Sequence, residues 1–307
     1  MDKALQAQVR IILPDIGAFD PMRQTKHPDN LAQPLSSLSV AHLPARPADA
    51  HKGDFGHVLV VGGDLGTGGA VLLSAEAALR CGAGLVSVAT RPEHVPAGLA
   101  RLPETMCLGV SSANQLMPVL ERASVVVVGP GLGQAGWGRS LLSAVVGAQV
   151  PQVWDADALN LQARAPLALP NGSLITPHPG EAARLLGLST EAVQADRAGA
   201  ARKLARRYDS VCVLKGAGTL IADPHGRLRI CERGHPAMAG AGLGDVLSGV
   251  LAALLAQGLD AWQAAGLGVW LHACAGERLG VQGRGLAASD LVPVIRNLLE
   301  EHSACQA

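Results

Sequence analysis

From Lys52 onward, short runs of Val and Leu alternate with longer Ala-rich stretches whose apolar positions recur every three or four residues. That is the pattern of strands buried on both faces alternating with amphipathic helices. Val58 to Val61 reads as a strand ending in Gly62-Gly63, Gly69 to Cys81 as a helix and Leu85 to Ala89 as a second strand, together a βαβ unit. The alternation continues with a strand at Val125 to Val128, a helix near Trp137 to Val146 and a strand at Val150 to Trp154. A helix after Asp157, a strand at Ser173 to Ile175 and a helix from Glu181 follow. The pattern predicts an α/β fold with a mostly parallel central sheet and helices on both faces.

Beyond Tyr208 the order changes to three apolar runs, Val211 to Leu214, Thr219 to Ala222 and Leu228 to Cys231. An Asp223-Pro224-His225-Gly226 turn separates the last two, which predicts a hairpin at one sheet edge. Helices near Asp245 to Gln257, Ala261 to Leu279 and Asp290 to Glu300 complete the chain. Residues 1–47 are rich in Pro and polar residues, with one short apolar run at Val9 to Leu13. They are expected to form an irregular or partly disordered extension, and residues 48–307 the folded domain.

With 307 residues, 49% of them hydrophobic, the chain can bury a large core. The 25 basic residues are balanced by 25 acidic ones, so no broad basic field exists to attract nucleic acid. Aromatic residues make up only 2%, which removes the stacking platforms that single-strand binders use. The six cysteines show no CxxC spacing and read as small core residues in a reducing compartment. No basic n-region precedes an apolar segment, and no apolar run approaches the roughly 20 residues of a membrane span. A cytoplasmic protein without a membrane partner is expected.

Candidate chemistry gathers where strands end. Gly240-Ala241-Gly242-Leu243-Gly244-Asp245 opens an apolar helix, so the amides of Gly242, Leu243 and Gly244 can converge on an anion at a helix N-terminus. Asp245 falls in the first turn, where the plainer reading is a carboxylate complementing the helix dipole. Gly129-Pro130-Gly131-Leu132-Gly133 follows a strand at the carboxyl edge, as do Gly62-Gly63-Asp64 and Gly66 to Ala70. In Trp154-Asp155-Ala156-Asp157, Asp155 is the better candidate for a hydrated magnesium ion or a hydroxyl, while Asp157 reads equally well as a helix cap. Thr176-Pro177-His178-Pro179-Gly180-Glu181 holds His178 between two prolines, and Glu181 is either a first-turn carboxylate or a support for a metal. Lys215-Gly216-Ala217-Gly218-Thr219 offers a cation, backbone donors and a hydroxyl to a phosphate or ribose, or is simply a turn between strands. No GxxxxGK[ST] motif occurs.

Taken in order, these segments, together with His51-Lys52-Gly53-Asp54 and Gly242-Leu243-Gly244-Asp245-Val246-Leu247-Ser248-Gly249, resemble the ADP/ATP-dependent NAD(P)H-hydrate dehydratases of the ribokinase-like superfamily. The resemblance implies a ribokinase-like fold and repair of the (S)-epimer of hydrated NADH or NADPH through a phosphorylated intermediate, with ADP (or ATP) and Mg2+. It implies Asp245 as catalytic base, hydrate contacts from Ala70, Gly131, His178 and Asp245, and nucleotide contacts from Lys215, Gly216, Ala217, Gly218, Thr219 and Gly244. Asp155 and Glu181 stand as the metal candidates, and a homo-oligomer is expected. The alternatives are a ribokinase-like kinase of a vitamin-precursor alcohol and a non-catalytic nucleotide-binding module. His235 and Ala241 depart from the pattern, where relatives generally carry Asn and Gly. Many bacterial relatives carry an epimerase domain ahead of the dehydratase. The roughly fifty residues before Lys52 are too few for one, so no epimerase activity is expected.

Overall fold

The computed structural model describes residues 32–305. The first part of the expected extension, including Val9 to Leu13, lies outside the described residues. The strands are β1 (Gln33–Pro34), β2 (His57–Val61), β3 (Leu85–Thr90), β4 (Met106–Gly109), β5 (Val125–Val128), β6 (Gln152–Trp154), β7 (Leu174–Ile175), β8 (Val211–Leu214), β9 (Thr219–Ala222) and β10 (Leu228–Cys231). The helices are α1 (Gly68–Arg80), α2 (Val95–Arg101), α3 (Ala113–Leu120), α4 (Gly136–Val146), α5 (Asp157–Arg164), α6 (Pro179–Leu186), α7 (Thr190–Ala195), α8 (Arg197–Tyr208), α9 (Leu243–Ala256), α10 (Ala261–Gly280) and α11 (Ala288–His302).

The strands form one sheet in the order β1-β10-β9-β8-β7-β6-β5-β2-β3-β4. Only the β10/β9 and β9/β8 pairs are antiparallel, so the sheet is mostly parallel as expected. Alternate residues of one strand serve opposite cores. Val58 and Val60 of β2 and Val125 and Val127 of β5 join a cluster with α1, α9, α10 and α11. Leu59, Val61, Val126 and Val128 join the other, with α3, α4, α5, α6 and α8. Burial on both faces explains why these strands read as continuous apolar runs rather than as alternating ones.

Chain order reverses between β2 and β5: β3 and β4 continue to one side, β6, β7 and β8 to the other. In an open parallel sheet, such a switch point opens a crevice at the carboxyl ends of the strands. The glycine-rich loops after β2 and β5 flank it.

Several elements depart from the sequence expectation. The β9/β10 hairpin forms, but it does not end the sheet. Gln33–Pro34 pairs in parallel with Arg229 and Ile230, from within the segment read as irregular. A proline is tolerated on an edge strand, where its missing N–H faces outward, and Leu35 and Val40 beside it are buried. Strand β4 and helices α2, α3, α7 and α8 were not legible as separate elements. Met106 on the edge strand β4 is exposed, and α3 contains Pro118, so neither carries the usual period. The cysteine reading needs correcting at two positions: Cys107 is half-buried and Cys305 exposed. Cys107 lies on the edge strand β4 at the margin of the core, packed against it but half-exposed.

Helices α1 and α9 cross closely. A Cβ on Gly249 would come within 2.0 Å of the Ser74 carbonyl oxygen, so only glycine lets the backbones approach this far. We expect Gly249→Ala to cost at least about 3 kcal/mol in urea unfolding. A loss below about 1 kcal/mol would show that the crossing relaxes freely.

Candidate active site

The crevice closes against the start of α9. Gly242 precedes the helix at φ +85°, and a Cβ there would meet the Leu73 side chain at 2.7 Å. Conformation and space both demand glycine. Leu243, Gly244 and Asp245 are the first helical residues, and no side chain caps them. Their N–H groups lack intrahelical acceptors and carry the positive end of the helix dipole.

Under this turn lies a buried ion pair. Lys215 Nζ, from the end of β8, donates to Asp155 Oδ1, from the end of β6, at 2.6 Å. Ser248 Oγ donates to Asp155 Oδ2 at 3.0 Å. A Cβ on Gly244 would stand 3.2 Å from Lys215 Nζ, so the ammonium abuts the turn. Burial works to raise the Asp155 pKa, but the Lys215 charge and hydrogen bonds from Lys215, Thr176 and Ser248 hold it below the ordinary value. Burial likewise opposes the Lys215 charge, and Asp155, Glu181 and Asp245 outweigh it, so the ammonium persists.

Asp245 has no such partner. Burial, then the negative charge of Asp155, pushes its carboxyl up to about 7, with Lys215 opposing and Glu181 adding to the rise. A carboxyl poised near neutrality beside free amides can take up a proton in the physiological range.

His178 is the N-cap of α6. Its Nδ1 accepts from the Gly180 and Glu181 N–H groups, and Glu181 Oε2 accepts from the His178 N–H at 2.8 Å. With Nδ1 used as acceptor, the ring proton resides on Nε2. Burial, then the Lys215 and Arg184 charges, lowers its pKa, so the ring stays neutral. Glu181 is buried and pushed up to about 7, chiefly by that burial.

Gly131 is linked to the other loops through its carbonyl, which accepts from the Asp64 N–H and from Thr67 Oγ1. Thr67 precedes α1, Ala70 lies in its first turn, and one turn on Ser74 Oγ donates to the Asp245 carbonyl at 2.7 Å. A chain of contacts thus runs from Gly131 past Ala70 to Asp245. Asp157 is not the N-cap of α5. It is the first helical residue, and its carboxylate accepts from the Gly133 N–H and from Gln134 Nε2, fastening the Gly131 loop. His235 accepts from the Ala237 N–H and packs where a Cβ on Gly280 would stand. Ala241 is exposed.

Among the described residues no group of three or more His, Cys, Asp or Glu is arranged to hold a metal. Both Asp155 oxygens are engaged by Lys215 and Ser248, and Glu181 serves the His178 cap.

Two residues that sequence reasoning missed complete the site. Arg197 at the start of α8 donates to the carbonyls of Leu214, Lys215 and Ala217. It thereby cradles the Lys215 to Thr219 loop. His272 of α10, its pKa lowered to about 4 by burial and so neutral, donates from Nε2 to the Leu243 carbonyl at 3.0 Å. That carbonyl and the Gly244 N–H belong to one peptide plane, so His272 aims and polarises a donor of the turn. No short motif marks either residue, since each acts across a distance only the fold closes.

Residues 58–296 match the family described as NAD(P)H-hydrate dehydratase. A bifunctional NAD(P)H-hydrate repair enzyme of Coxiella burnetii is 52% identical over 259 residues, 84% of this chain and 53% of that protein. An ADP-dependent (S)-NAD(P)H-hydrate dehydratase of Neisseria meningitidis is 39% identical over 82% of this chain and 88% of its own length. The chain thus spans about half the length of the bifunctional relative and most of the second. Among solved structures, a ribokinase-like protein of Enterococcus faecalis superposes with TM-score 0.82 at 29% identity, covering 91% of this chain and 99% of that one. The Bacillus subtilis ADP/ATP-dependent NAD(P)H-hydrate dehydratase, co-crystallised with ATP/Mg2+, gives 0.80 at 28% identity, covering 89% and 100%. Switch-point crevice, glycine turn and these superpositions together make the fold ribokinase-like. More narrowly, the chain belongs to the NAD(P)H-hydrate dehydratase family.

Two outcomes follow from the geometry. Asp245 carries a raised pKa in the folded state, so its ionisation opposes folding above about 7 and costs progressively less as pH falls toward the ordinary value of 3.8. Asp245→Asn is therefore expected to raise the melting temperature at pH 8, and the gain should disappear by pH 4. For the turn, His272→Ala should lower kcat about tenfold or more by freeing the Leu243–Gly244 peptide. His272→Gln, which can donate to the same carbonyl, should restore most of it, and equal loss in both variants would leave His272 a packing residue only.

Proposed function

We propose that the protein catalyses the ADP-dependent dehydration of the (S)-epimer of hydrated NADH and NADPH. The observation that carries this reading is a carboxyl poised near pH 7, Asp245, in the same turn as uncapped amides and beside the Lys215 ammonium. Asp245 takes the proton of the ring hydroxyl as its oxygen attacks the terminal phosphoryl group of the nucleotide. The amides of Leu243 and Gly244 and the Lys215 ammonium meet the charge spreading over that group. A nucleotide one phosphate shorter departs; the ring C–O bond then breaks to release phosphate, the adjacent ring carbon gives up its proton, and the C=C bond of the dihydronicotinamide is restored.

In this reading Ala70, Gly131 and His178 line the hydrate, and Lys215 to Thr219 with Gly244 hold the nucleotide. The neutral His178 carries its Nε2–H 3.4 Å from Glu181 Oε1, and Arg197 keeps the nucleotide loop in shape. Magnesium supplies charge neutralisation to nucleotide phosphates. With both oxygens of Asp155 already engaged, the ion would enter on those phosphates, and Asp155 would act by holding Lys215. Self-association and a reducing, cytoplasmic setting belong to the same proposal. Its six free cysteines fit the latter.

Incubation with ADP, magnesium and NADH hydrate should regenerate the reduced-nicotinamide absorbance, and kcat/KM should climb as pH rises through about 7 while Asp245 ionises. Asp245→Asn should lose about a thousandfold or more in kcat. No return of that absorbance, together with phosphorylation of a vitamin-precursor alcohol, would replace this reading with a kinase.

A further inference from the structure

A cavity of about 500 Å³ is lined by Gln134, Asn160, Ala163, Arg164 and Arg184. Two of its walls continue loops already described. Gln134 follows Gly131 by three residues, and Arg184 lies one turn along α6 from Gly180, where a Cβ would sit 3.8 Å from Arg184 Nη1. The cavity therefore borders the loop that carries Gly131 and opens between α5 and α6, the helix that His178 caps.

Its polar lining is held in place. Asp157 accepts from the Gly133 N–H, from Gln134 Nε2 and from Asn160 Nδ2. Asn160 Oδ1 in turn accepts from Arg184 Nε at 2.8 Å. One guanidinium edge is thus fixed by a carboxamide, which aims the group without neutralising it. The Nη groups of Arg184 and the whole Arg164 guanidinium have no carboxylate partner among the described residues. In a chain of zero net charge, two unneutralised guanidinium groups at one cavity form a local anion trap. A fork-shaped donor matches a phosphate oxygen pair.

We propose that this cavity seats a phosphate of the hydrated dinucleotide, with Arg184 as its oriented donor and Arg164 as its second cation. The proposal rests on the dehydratase reading and extends it from the nicotinamide ring to the anionic part of the substrate. A hydrate reaching from His178 along α6 carries its remaining charge on phosphates, either the pyrophosphate bridge or the 2′-phosphate that separates NADPH from NADH. The chemistry is the same for both, and the two cofactors tell them apart.

The test compares wild type with Arg184→Gln and Arg164→Gln, with melting temperature as the folding control. With ADP saturating, KM for the hydrate should rise about tenfold in Arg184→Gln, the loss of roughly one charged hydrogen bond, while KM for ADP stays within about twofold. A rise for NADPH hydrate alone assigns the 2′-phosphate, and an equal rise for both hydrates assigns the pyrophosphate. Unchanged hydrate KM in both variants, or a rise in KM for ADP instead, overturns the proposal. Should wild type fail to turn over either hydrate, the dehydratase reading falls. Equilibrium binding of NADPH and NADH would still decide the cavity: affinity weakened by Arg184→Gln keeps it, and equal affinity for wild type and variant removes it.

Discussion

The buried pair between Lys215 and Asp155 is the constraint from which the rest of the site follows. Lys215 faces three carboxylates, Asp155, Glu181 and Asp245, and is hydrogen-bonded to Asp155 at 2.6 Å. Asp155 takes the ion pair, and for the other two burial outweighs the opposing Lys215 charge, so both carboxyls rise to about 7. The pair does more than stabilise, and buried ion pairs are in any case weak contributors to stability. It separates the carboxylate held ionised from those pushed up toward neutrality, the kind of unequal environment that acid–base sites use.

The scaffold brings these groups together because a parallel sheet delivers every strand to the same edge. Asp155, Thr176 and Lys215 follow β6, β7 and β8, and the switch between β2 and β5 leaves room in front of them. Helix α9 then has to enter from the opposite layer. Its close crossing with α1 at Gly249 and the Ser74 bond to the Asp245 carbonyl set its depth, and His272 sets the tilt of its first peptide. The glycine turn is positioned from three directions, none of which involves the turn's own side chains.

Much of the fold was legible because buried strands and amphipathic helices leave local periods: β2, β5, β8, β9 and β10 fall within a residue of where the apolar runs place them. Edges were not. Strand β1 lies in a proline-rich segment and β4 presents Met106 to solvent, so neither shows the pattern that burial on both faces imposes. Of the site, the glycine turns and Lys215 stood out because each must satisfy a local backbone or charge requirement. His178 was found for its prolines, yet its ring also caps α6, which no spacing rule distinguishes from a ligand contact. Arg197 and His272 carry no local mark at all, and Asp157, read as a cap, instead ties down a loop 24 residues earlier.

The sequence by itself determined the alternating architecture, the loops able to approach a phosphate and the resemblance that named a family, since all three are encoded in neighbours along the chain. The tertiary structure alone decided which carboxyl is held ionised and which are lifted toward neutrality. The Asp155–Lys215 contact spans 60 residues and the Ser248–Asp155 contact 93. The burial that lifts Asp245 toward neutrality comes from layers packed around it. A pKa is a property of surroundings, and those exist only once the chain has folded.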